Sequence, residues 1–311
     1  MPRPRMVLIL SENETLMSRR DLPELVRWAR VAEDAGFDGV MVSEHVVLGP
    51  DASDQGRMSN PRMYAMPGNQ DPETPWPNSL MLLSAISSVT TDVRLIASAI
   101  IAPLRHPLLL ARELGTLDLL SGGRLVVQPT VSWSRDEYDA LGVPFGQRGT
   151  ILDEQLAILR LAWGPGPISF EGEFFSFHDI SIEPRAFHAD GPRLWFGGQK
   201  LHGALLRRLV AHGHGWHPLG APTEGDILAL TDAMAAAGRD ASELEWIGGT
   251  RAVFPDDHSC ADLGQAMAAI PGQLEAGFTT FGLKPSQYID DAAEMESFCA
   301  DVIRRADAMA T

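Results

Sequence analysis

The chain has 311 residues, 45% of them hydrophobic, and a formal net charge of -16. That excess of carboxylates excludes a nucleic-acid-binding surface, which needs clustered Lys and Arg facing phosphate, while the apolar content is ample for a large core. No apolar run reaches membrane-spanning length, nothing resembles a cleavable leader, and Cys260 and Cys299 lack zinc spacing, so a cytoplasmic protein with two reduced thiols is expected.

Strand and helix patterns alternate along the chain, as expected for a parallel sheet wrapped by helices. A strand is predicted over 6–11, then a helix over 21–35 with Leu22, Leu25, Val26, Ala29 and Ala32 on one face. A second strand over 38–43 runs into Glu44 and His45. The stretch 46–77 is irregular, rich in Pro, Gly, Asp and Asn, yet carries Met58, Met63, Tyr64, Met66 and Trp76. A loop this long inside a domain is a lid, a binding segment or a disordered insertion, and its apolar residues favour a cover over a substrate. Helix 79–89, strand 93–101, helix 107–120 and strand 125–131 follow. The third helix ends at Gly122-Gly123, where glycine takes the left-handed cap at little cost. A short helix over 135–141 and a longer one over 150–162 lead to 168–184, read as a β-hairpin around Glu171-Gly172-Glu173. Strand 194–196, helix 201–211, strand 213–216, helix 224–237, strand 244–254, helix 262–276, strand 279–283 and helix 290–309 complete the chain. Eight strands remain beside the hairpin, so the expected fold is α/β, a (β/α)8 TIM barrel forming one domain over 1–311.

In such barrels the active site lies at the strands' C-terminal ends. His45 stands there, and its imidazole suits proton transfer near neutrality; the plainer alternative is a histidine that caps Glu44 or a helix end. Gly197-Gly198-Gln199-Lys200 sits between a strand and a helix, where side-chain-free amides and a helix N-terminus could face an anion, although a Gly-Gly pair also marks simple turns. His212, His214 and His217 fit no zinc spacing, so no metal site is expected. Glu137 and Arg148 read as a structural ion pair, and Arg105 as a partner of Asp118 or of an anionic cofactor tail. Lysine is nearly absent, with Lys200 and Lys284 the two examples, which draws attention to both positions.

One long signature runs through Arg105-His106-Pro107, Thr116 to Arg124 with its Leu-Ser-Gly-Gly-Arg ending, Trp133, and Leu141 to Arg148. It resembles the middle of the bacterial luciferase-like superfamily, barrels that use reduced flavin or the deazaflavin F420. The hairpin, the Trp195-Phe196-Gly197-Gly198 loop and the Gly215-Trp216-His217-Pro218 turn are most similar to the F420-dependent type. The resemblance implies hydride transfer between F420 and a small organic substrate, with His45 beside the ring as proton handler. It makes Gly197, Gly198, Gln199 and Lys200 the cofactor-phosphate loop, with Lys200 where relatives often carry a hydroxyl. Ala97 and Ser98 would lie under the ring, at a non-prolyl cis peptide bond near Ser98. It also implies a homodimer.

Two departures from the family pattern leave alternatives open. Relatives read Gly-Thr-Gly across Ile96 to Ser98, and a glycine-rich Gly-Val-Gly-Val-Gly-Trp where this chain has Gln128-Pro129-Thr130-Val131-Ser132-Trp133. Gln128 and Thr130 therefore either hydrogen-bond to the cofactor or obstruct it. The alternatives are an FMN-dependent monooxygenase served by a separate reductase, and a non-catalytic paralogue with an occluded site.

Overall fold

The computed structural model describes residues 2–310. Eight parallel strands close into a barrel. They are β1 (Arg5–Ile9), β2 (Gly39–Val42), β3 (Arg94–Ile101), β4 (Leu125–Thr130), β7 (Arg193–Gly197), β8 (Gly215–His217), β9 (Glu245–Gly249) and β10 (Thr280–Leu283). β5 (Ile168–Glu171) and β6 (Ser176–Ile180) form the separate antiparallel hairpin expected between the fourth and fifth barrel strands. The helices between them are α1 (Leu22–Ala35), α2 (Ser79–Ser87), α3 (Pro107–Leu120), α4 (Arg135–Ala140), α5 (Arg148–Trp163), α6 (Gly203–His212), α7 (Glu224–Ala236), α8 (Leu263–Met267), α9 (Ile270–Glu275) and α10 (Met295–Ala308).

Alternation along each strand divides the core in two. Met6, Leu8, Val40, Leu95, Val127 and Leu194 face the helices, whereas Val7, Ile9, Met41, Ile96, Val126, Trp195 and Ile247 fill the barrel. Trp195 is too large for that interior unless a neighbour gives way. Gly215 does so: a Cβ there would stand 2.3 Å from Trp195 Cδ1.

Three expected elements differ. The strand expected over 244–254 stops at Gly249, because beyond it Thr250 turns to Tyr288, hydroxyl to hydroxyl at 2.6 Å. The helix expected over 262–276 breaks into α8 and α9, since Pro271 cannot donate within a helix and is tolerated only in the first turn of a new one. The closing helix begins at Met295, after a 3-10 turn capped by Asp291.

The segment 46–77 lies across the C-terminal mouth of the barrel. Tyr64 packs on the interior cluster, Ala65 N–H donates to Glu12 Oε1 at 2.9 Å, and Asn60 Nδ2 donates to the carbonyls of Asp256 and Ser259 at 3.1 and 3.0 Å. Beneath it Lys284, fully buried at the end of β10, donates from Nζ to the Met63 carbonyl at 2.8 Å, and its ammonium lies 4.9 Å from the Tyr64 ring centroid. Burial lowers the Lys284 pKa, and Glu12 and Glu14 oppose that shift.

At the same end, Glu44 joins three elements. Its buried carboxylate accepts from Ser79 Oγ at the start of α2 (2.8 Å) and from Ile101 N at the end of β3 (3.1 Å). It also takes both guanidinium arms of Arg105, at 2.7 and 2.9 Å. Arg105 is thus neither a partner of Asp118 nor free to meet a cofactor tail. Removing one member of a buried pair strands the other charge. Arg105→Leu is therefore expected to lower stability by about 3–5 kcal/mol in urea denaturation, whereas a loss below 1 kcal/mol would show that Glu44 is well solvated without it.

Candidate active site

His45 follows β2 at the barrel mouth with its side chain almost wholly buried. Its Nδ1 lies 3.3 Å from Glu137 Oε2, and its Nε2 lies 3.4 Å from Gln70 Nε2, a group of the covering segment. Trp76 and Trp133 meet the imidazole edge-on, with ring centroids 5.2 and 5.6 Å away. Both Trp76 Nε1 and Gln70 Oε1 are buried without a partner.

Glu137 is placed otherwise than in the expected ion pair with Arg148. Ser134 caps α4 by accepting from the Glu137 N–H, which turns the Glu137 side chain inward, where it is fully buried. Its carboxylate accepts from Val46 N–H at 2.6 Å and from Ser132 Oγ at 3.1 Å. Arg148, its expected ion partner, instead lies 3.7 Å from the Phe145 ring centroid and donates to the Phe145 carbonyl. Ser132 has a φ of 55°, a left-handed conformation in which glycine is at ease. This accounts for glycine being expected there, and the serine adds a hydroxyl that reaches Glu137.

Across the mouth, inward-facing residues of three strands are linked. Ser98 Oγ donates to Gln128 Oε1 at 3.0 Å, and His217 Nδ1 lies 3.1 Å from the same oxygen. The expected cis peptide is present, between Ser98 and Ala99. Gln128 thus occupies interior space that glycine would leave open, bridging β3, β4 and β8. Thr130, half-buried, ends β4 nearby. Ala97 is not brought to this group, because its methyl faces the outer core between strands and helices.

Gly197 is required by a close approach: a Cβ on it would stand 2.3 Å from the His217 carbonyl oxygen. The Gly198 N–H donates to that same carbonyl at 3.1 Å, so it extends the sheet and is not free for an anion. His202 caps α6 by accepting from Leu205 N–H. What the loop still offers a phosphate is the exposed Lys200 ammonium, the exposed Gln199 and the start of α6. This donor set fits a phosphate through charge more than through a glycine amide nest.

The three clustered histidines diverge. His214 Nδ1 accepts from Leu194 N–H at 3.1 Å, His217 turns to Gln128, and His212 Nδ1 is buried without a partner. Among the described residues no group of three His, Cys, Asp or Glu is placed to hold a metal.

Burial lowers the His217 and His214 pKa values to about 4, below the ordinary 6.5, with nearby arginines adding to the shift at His214. Between these limits the unfolded chain binds more protons than the folded one, so stability is complete above pH 6.5 and falls as pH drops toward 4. Chemical denaturation midpoints measured across that range should decline toward acid. His217→Gln should flatten the decline, and an unchanged slope would remove His217 as a contributor.

Comparison with known proteins bears on the family and the fold. A family model described as luciferase-like monooxygenase matches residues 5–297. An uncharacterised protein of Mycobacterium tuberculosis is 32% identical over 217 residues, 68% of this chain and 74% of its own length. Among solved structures, an F420-dependent secondary alcohol dehydrogenase bound to an F420-acetone adduct superposes with a TM-score of 0.72 at 15% identity, covering 100% of both chains. A riboflavin lyase holding modified FMN and riboflavin superposes with a TM-score of 0.72 at 15% identity, covering 99% of this chain and 93% of the other. A barrel with its strand ends arranged in this way, matched over nearly its whole length, belongs to the luciferase-like monooxygenase family.

Proposed function

We propose that the protein is an F420-dependent oxidoreductase that moves a hydride to or from a small organic substrate. The observation that carries this reading is His45, held by a buried carboxylate at the mouth of the barrel, with Lys200 and the start of α6 exposed at the same end. When bound, the deazaflavin supplies the hydride chemistry, and the chain supplies position, polarity and proton handling. Lys200 and α6 hold the phosphate, Ser98, Gln128 and Thr130 border the ring, and His45 takes or gives the proton that accompanies hydride movement. Trp76 and Trp133 exclude water from the imidazole. The same fold holds F420 in a secondary alcohol dehydrogenase and FMN in a riboflavin lyase, so the barrel can accommodate either group.

One observation favours a second reading, a reduced-FMN monooxygenase fed by a separate reductase. F420 carries an acidic tail that calls for arginines at the rim, yet Arg105 is committed to Glu44 and Arg62 to Asp290. Arg57, 71% exposed, is the arginine there that keeps most of its freedom.

Titration of the purified protein with F420 and FMN, each oxidised and reduced, separates the two. F420 is expected to bind, and tight FMN binding without F420 binding would reverse the order. Lys200→Ala should weaken cofactor binding about tenfold or more, as for a lost charge-assisted hydrogen bond, with the difference shrinking in high salt. His45→Asn should leave binding within a few-fold and lower turnover by roughly 10²–10⁴.

No helix among the described residues is long and apolar enough to cross a membrane, and a cytoplasmic setting is proposed with it. The outer face of α2 supports a homodimer: Met81 is 75% exposed and Val89 just beyond it 39%, while the helix carries no charged residue. Met81→Arg should convert a dimer to a monomer in sedimentation velocity, and an unchanged sedimentation coefficient would place the contact elsewhere.

A further inference from the structure

We infer that Glu137 is a positioning residue that fixes the tautomer of His45, leaving Nε2 as the working nitrogen. This rests on the reading of His45 as the proton handler and adds the residue that orients it. The argument begins with what surrounds the carboxylate. Glu137 is fully buried, and the groups within hydrogen-bonding distance of its side chain are a backbone N–H, a serine hydroxyl and an imidazole nitrogen. No Lys or Arg pairs with it among the described residues, so an amide, a hydroxyl and an imidazole carry the task of stabilising it.

An ionised carboxylate only accepts hydrogen bonds. Val46 N–H serves Oε1 at 2.6 Å, and Oε2 receives Ser132 Oγ at 3.1 Å and His45 Nδ1 at 3.3 Å. The shared proton therefore belongs on Nδ1. In a neutral imidazole the other nitrogen then carries the lone pair. The second contact is compatible with this: as the Gln70 amide stands, its Nε2 can donate to a bare His45 Nε2 at 3.4 Å. With the proton on Nε2 instead, two donors would face each other there while Nδ1 faced a carboxylate with no proton between them. For a neutral ring and the amide as it stands, the Nδ1-protonated form satisfies both ends.

The consequence for function is directional. The nitrogen that exchanges a proton with substrate is the one covered by Gln70, a residue of the segment lying over the mouth, so substrate must displace this amide to reach it. Ser132 contributes at one remove, because its left-handed backbone aims Oγ at Glu137.

The test uses the cofactor-free protein labelled with ¹⁵N-histidine, in long-range ¹H–¹⁵N correlation spectra at alkaline pH where imidazoles are neutral. His45→Asn identifies the His45 signals among the nine histidines. A proton-bearing Nδ1 and a bare Nε2 are expected in the native protein, and the opposite pattern overturns the proposal. In Glu137→Gln, whose amide can donate to Nδ1, the Nε2-protonated form should appear and turnover should fall at least about tenfold, as when a histidine is held in the wrong tautomer. Persistence of the Nδ1-protonated form in a folded Glu137→Gln protein overturns the proposal too. Should that variant not fold, the native spectrum decides alone. Because no cofactor is present, failure here is distinct from failure to bind F420 or FMN.

Discussion

Closure of the parallel sheet is the constraint from which the rest follows. Eight strands joined in a ring have no free edge, and each residue is committed by parity to the barrel interior or to the helix layer. Ser98, Gln128, Gly197 and His217 fall on inward positions of β3, β4, β7 and β8, so residues distant in sequence meet without any loop to bring them together. Ala97, one residue from Ser98, is sent to the opposite side. Parallel closure also gathers all strand C-terminal ends on one face, which is why His45 and Lys200 share a mouth although 155 positions apart.

Two buried carboxylates at that mouth show how the same functional group is given different work. Glu44 is saturated: a bidentate arginine, a hydroxyl and an amide fill its acceptor positions, and nothing remains for chemistry. Such a group locks neighbouring elements together. Glu137 lies among a backbone amide, a hydroxyl and an imidazole. A carboxylate without a lysine or arginine partner polarises the groups that donate to it, and here that effect falls on His45.

The barrel, the hairpin and the covering segment were legible because their signals are local: apolar alternation, Gly-Gly after α3, and turn residues around Glu171-Gly172. His45 was legible from its place after a strand. Glu137 was not, because its partners His45 and Val46 lie 92 and 91 residues away and no spacing rule reaches that far. Its nearer neighbour Arg148 offered a plausible ion pair, and Phe145 captured that guanidinium instead. The bond from Gln128 to His217 spans 89 residues and was hidden for the same reason. Pro271 was a local signal outweighed by the apolar period around it, and the chain restarted its helix there.

The contact between Lys284 and the covering segment sets two hydration terms against each other. A buried ammonium with one hydrogen bond to the Met63 carbonyl is poorly solvated, and lifting the segment would let water hydrate it. The same movement would expose the Tyr64 ring and the apolar cluster under it. These two terms have opposite signs, so against any displacement of the segment the amine would act as a counterweight to the ring.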